Sequence, residues 1–168
     1  MYDYKQYFEE LVQLYQTAII KINITADSTI KSLNSSTCFG FTEASYENDQ
    51  VKSIVIYIDE SLNWGNKIRV LFHEYGHALH YMSVDPKVAQ EKISNSDLAW
   101  ITETEYNAIQ HEITCSKQIY IDGDKSFLKD TMTIISDRQT NYNRGYNEAV
   151  QKIVQEDLWQ TCMKLTEV

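Results

Sequence analysis

Apolar residues at Tyr4, Phe8, Leu11, Tyr15, Ala18 and Ile22 recur every three or four positions, the spacing of one face of an amphipathic helix. The pattern predicts a helix over about residues 3–23, within an N-terminal segment 1–34. From Ser35 the character changes. STCFGF and VKSIVIYI are rich in β-branched and aromatic residues, and the polar SYENDQ between them reads as a turn, so a β-hairpin is expected over 35–60. A helical period resumes over 64–83 and stops ahead of Pro86, the single proline, which disfavours helix at the residue before it. A further helix is expected over 98–120, ended by Asp122-Gly123-Asp124. Two more follow over about 126–138 and 144–165, the last carried by Tyr146, Val150, Ile153, Val154, Leu158 and Leu165. The fold class expected is α+β, a single domain over 1–168, mostly helical with a small β-sheet ahead of the 64–83 helix.

Composition narrows the function classes. The 168 residues are 43% apolar and include 12 Tyr, 5 Phe and 3 Trp, enough ring surface to offset chain entropy and exclude a disordered chain. The net charge is −9, and no basic patch stands out along the sequence. Such a chain repels phosphate backbones and anionic bilayers, so neither a nucleic acid nor a membrane is expected as partner. Cys38, Cys115 and Cys162 are widely spaced, with no CxxC, which argues against a disulfide framework or an all-thiolate metal site. The start, MYDYKQYFEELVQLY, carries charge where a signal peptide needs an apolar stretch, and a cytoplasmic setting is expected.

The residues that bear chemistry lie in the 64–83 helix: His73-Glu74-Tyr75-Gly76-His77, an HExxH motif. Two histidines four apart stand one turn, ~5.4 Å, apart on one helix face, so their imidazoles can converge on one ion. The glutamate beside them can take a proton from a water that the cation has made easier to ionise. On a helical wheel His77 lies about 40° and Glu74 about 100° from His73, whereas Ile68, Leu71, Phe72, Tyr75, Ala78, Leu79 and Met82 fall between about 140° and 260°. The wheel predicts a core side and a chemistry side.

Zinc usually takes a third protein ligand. His80 is seven residues beyond His73, ~10 Å along the axis, too far to share the ion. It reads as a polar rim residue or a group behind the ligands. A metzincin would need Gly at position 80 and His at position 83; the chain has His80 and Ser83. The 98–120 helix offers Glu103, Glu105 and Glu112. Glu105 and Glu112 share the wheel face of Ile101, Ala108, Ile109 and Ile119, while Glu103 lies among polar residues. An inward glutamate is costly to bury without a partner, and a zinc ion is one adequate partner for Glu105. A salt bridge at the helix edge is the competing reading. Glu112 is better placed to hold a ligating histidine from behind, and His111 reads as structural.

These residues resemble the gluzincin metallopeptidases, which combine HExxH with a downstream glutamate. LFHEYGHALH (71–80) looks like the FHEFGHALH of the thimet oligopeptidase and oligoendopeptidase F family, and Glu105-xx-Ala108-xxx-Glu112 is similar to its ExxSxxxE. The two motifs cover about twenty residues of the 168. The resemblance implies His73, His77 and Glu105 as ligands to one Zn2+ per chain and Glu74 as general base. Ala108 stands where that family usually has Ser, and the chain is too short for its channel-enclosing architecture. The layout looks more like the small ImmA/IrrE-type metallopeptidase domains of phage and mobile elements. The thimet-type family also has a Gly-Tyr-rich segment whose tyrosines stabilise the oxyanion. NYNRGYNE (141–148) is similar, which implies catalytic roles for Tyr142 and Tyr146. Ordinary core or surface tyrosines, among twelve, are the competing reading.

The function expected is zinc-dependent hydrolysis of a peptide or protein substrate in extended form, and VKSIVIYI (51–58) reads either as an edge strand against which it pairs or as a strand paired on both sides. A catalytically inactive zinc-binding regulatory module is the alternative, and the intact Glu74 speaks against it. A third possibility keeps the catalyst but restricts it to one regulator.

Overall fold

The first helix is shorter than its apolar spacing predicts. In the computed structural model, which describes residues 2–33, 39–138 and 143–167, α1 runs over Tyr4–Tyr15, with the Asp3 side chain accepting from Gln6 N at 3.0 Å as N-cap. It buries Phe8, Leu11 and Tyr15. Thr17 Oγ1 then accepts from the amides of Ile19 and Ile20, turning the chain into strand β1, Ile20–Thr25. IKINIT alternates β-branched and polar residues, and this period of two overrides the helical spacing of Ala18 and Ile22. Ser35 and Cys38 lie outside the described residues.

A short helix α2, Asp27–Leu33, precedes β2, Gly40–Glu47, and β3, Gln50–Asp59. The hairpin between them turns at Asn48 and Asp49, both with positive φ (53° and 58°), the pair of left-handed residues a tight primed turn requires. The sheet order is β1-β3-β2: β1 pairs with β3 in parallel and β2 pairs with it antiparallel. Of the two readings of segment 51–58, the strand paired on both sides is the one found: it is the centre of the sheet. On one sheet face Ile54, Ile56, Ile58, Ile20 and Thr42 are buried. Helix α3, Trp64–Ser83, packs against β2, β3 and α1. Its N-cap is Asn63, whose side chain accepts from Asn66 N at 2.8 Å.

Pro86, expected only to stop a helix, also begins one: α4, Pro86–Asn95, with Asp85 Oδ1 accepting from Lys87 N at 2.9 Å. Within it falls the boundary between two compact units, Asp3–Glu91 and the residues from 92 onward together with Tyr2. Among the described residues the elements of the second unit are all helices: α5 Leu98–Ile121, α6 Lys125–Arg138, α7 Arg144–Ile153 and α8 Asp157–Thr166 follow α4. Ile109, Ile113, Leu128, Met132, Ile135, Tyr146, Val150 and Trp159 form its core. The helix expected over 144–165 is thus two. The break falls after Ile153, where Gln160 Nε2 donates to the Val154 carbonyl at 2.8 Å. Gly145 lets α7 approach α5, since a Cβ there would come within 2.3 Å of Ile101 Cγ2. The class is α+β, mostly helical with a small three-stranded sheet.

Candidate metal centre

Helix α3 carries His73, Glu74 and His77 on successive turns. The two imidazole centroids are 4.9 Å apart with their planes at 78°. One ligand atom from each of the three residues lies within 4.8 Å of the others. Among the described residues this is the one such group of three or more histidine, cysteine or acidic side chains. All three are buried, with His73 and His77 7% and Glu74 8% exposed. Two imidazoles from adjacent turns make a nitrogen donor pair that suits zinc, with the Glu74 carboxylate beside them. A divalent cation would also offset the cost of holding a carboxylate away from water. The residues fit the ion that the sequence pattern implies.

Glu74 meets the sheet. Thr42 Oγ1 on β2 is 2.5 Å from Glu74 Oε2 and 3.0 Å from the Glu74 main-chain oxygen. Among the described residues Thr42 is the one hydrogen-bond partner of the Glu74 side chain. Gly40, two residues earlier on the same strand face, makes this approach possible. A Cβ at Gly40 would lie 2.5 Å from Val70 Cγ1 and 3.1 Å from Glu74 Cγ. Sequence reasoning did not single out Thr42. The available signal was the run of small residues Gly40, Thr42 and Ala44 on one face of a strand next to the HExxH helix.

The division of α3 into a core side and a chemistry side needs correction. Both sides are buried from Ile68 to Phe72, and so are His73, Glu74, His77 and His80, while Leu79 and Met82 of the expected apolar stripe are 38% and 40% exposed. His80 sits one turn after His77 near the helix end, and the ring of Tyr81 stacks against His77 at 6.1 Å.

The other expected site residues belong to the second unit. Glu105 and Glu112 on α5 are buried and Glu103 is exposed, in the order the wheel predicts. His111 is half-buried, with its Nε2 3.6 Å from Cys115 Sγ. Tyr146 on α7 is completely buried within the core of that unit. Tyr142 lies outside the described residues. The structure thus brings together His73, Glu74 and His77 within one unit. In comparisons with known proteins, no protein-family model, no curated protein and no solved structure matches the chain. None of the described helices is long and apolar enough to cross a membrane.

Proposed function

We propose that this chain is a zinc-dependent metallopeptidase of gluzincin type, with His73 and His77 as zinc ligands from α3 and Glu74 as general base. The observation that carries the reading is the buried cluster of these three side chains on adjacent turns of one helix. The third ligand we assign to Glu105, from its place on the apolar wheel face and in the gluzincin-like spacing. When bound, zinc supplies the Lewis acidity that polarises a peptide carbonyl and eases ionisation of water. Glu74 takes the proton that the attacking water loses and delivers it to the leaving amine nitrogen, so its carboxyl group ends the cycle as it began. Tyr146 is completely buried on α7, and no step of this proposal is routed through it.

The substrate is a peptide or protein segment in extended form, and β2 rather than β3 supplies the edge. Phe39 O accepts from Asp59 N, and the antiparallel alternation from that pair turns the main-chain groups of Gly40, Thr42 and Ala44 outward. Among the described residues no strand pairs with that outer edge. Since Thr42 touches Glu74, a peptide added to this edge would run past the general base. A net charge of −9 favours such a substrate over nucleic acid, and three cysteines without a pairing pattern favour a reducing, cytoplasmic setting.

The test is hydrolysis of casein and of a mixed peptide library by zinc-loaded protein and by Glu74→Gln. The wild type should cleave, and the variant should keep its zinc while losing activity by about 10²-fold or more. Equal turnover by both proteins, or none by the wild type, would overturn the reading and leave a zinc-binding module.

A further inference from the structure

We infer that Thr42 is the positioning residue for the general base: its hydroxyl fixes Glu74 Oε2 and leaves Oε1 to exchange protons with water and the leaving amine. The inference deepens the peptidase reading and rests on it for the role of Glu74. Its geometric part stands alone.

Three observations converge on it. The Oγ1 to Oε2 distance of 2.5 Å is that of a charge-assisted hydrogen bond, and Thr42 is itself only 6% exposed, so little water competes for the contact. The hydroxyl also lies 3.0 Å from the Glu74 carbonyl oxygen. It has one hydrogen and two possible acceptors on one residue. A single side chain on β2 therefore meets Glu74 both at its carboxylate and at its main chain. The close approach is also built in, since Gly40 stands where any Cβ would push Val70 and Glu74 away from the strand.

A glutamate side chain has three rotatable bonds, and an untethered carboxylate spends part of its time out of line with the reacting atoms. The tether is local to strand and helix, so its loss should leave the two histidines in place. The variants that test it are Thr42→Val, which keeps the shape without the donor, Thr42→Ala in case the first does not fold, and Thr42→Ser, which restores the donor.

Crystal structures of the wild type and the variants supply the readout that is independent of activity. Thr42→Val and Thr42→Ala should show the Glu74 carboxylate displaced or spread over several rotamers, and Thr42→Ser should show it in the wild-type position. For peptide hydrolysis, kcat should fall by about 10- to 100-fold in Thr42→Val with KM and zinc per chain unchanged, and Thr42→Ser should recover most of it. A Glu74 carboxylate that stays in place without the hydroxyl would overturn the inference, as would a Thr42→Val enzyme of wild-type kcat. If the wild type cleaves no peptide, the peptidase reading fails, and the crystallographic comparison alone decides whether Thr42 holds Glu74.

Discussion

Tyr15, the last residue of α1, lies flat on Tyr75, the residue after Glu74, with ring centroids 3.8 Å apart and planes within 2° of parallel. The stack ties the N-terminal helix to the turn of α3 that carries Glu74. Tyr15 is buried, and replacing a buried ring by alanine costs roughly 3–5 kcal/mol through lost burial and the cavity left behind. Tyr15→Ala should therefore lower the denaturant midpoint strongly, while Tyr15→Phe, which keeps the ring, should stay close to wild type. Equal losses in the two variants would show that the hydroxyl, not the stacked ring, carries the contact.

Tyr106 gives the second unit a signature at alkaline pH. Its hydroxyl donates to Glu156 Oε1 at 2.6 Å, and Gln110 Nε2 donates to the Tyr106 oxygen at 2.8 Å and to Glu156 Oε2 at 3.1 Å. Burial first, then the hydrogen bond and charge of Glu156, push the phenol up to about 12. The unfolded phenol titrates near 10. A raised folded value means that the neutral phenol is favoured by the fold, so its contribution is complete below about pH 10 and is lost as pH rises toward 12. Unfolding free energies measured by denaturant across that window should fall more steeply for the wild type than for Tyr106→Phe. Parallel slopes would contradict the assignment.

Glu105→Gln tests the third ligand. The amide keeps the shape of the carboxylate but not its charge, so zinc affinity should drop by about tenfold or more while the helical circular dichroism of the protein is unchanged. An unaltered affinity, measured by competition with a chromogenic chelator, would assign Glu105 to a structural ion pair instead.

Much of this was legible in the sequence, for reasons that individual residues make plain. The bounds of α3 and α5 follow from long, regular apolar spacing and from the stops at Pro86 and at Asp122-Gly123-Asp124. The same wheel geometry separates exposed Glu103 from buried Glu105 and Glu112. Strand β1 was hidden because Tyr15, Ala18 and Ile22 also fit a helical period, and the parallel pairing with β3 that selects the extended form is a contact over thirty residues away. The interruption between α7 and α8 carries neither glycine nor proline and was invisible for that reason. The contact of Thr42 with Glu74 joins residues 32 apart, and the small residues Gly40, Thr42 and Ala44 mark a close approach without naming the helix residue that they meet.

The central claim is that His73 and His77 hold a metal ion, and the direct measurement is elemental analysis of the purified protein after equilibration with zinc and removal of the excess. The wild type should retain about one zinc ion per chain, and His77→Ala should retain almost none at the same concentration. Wild-type protein that emerges without zinc, or a His77→Ala protein that keeps as much as the wild type, would contradict it.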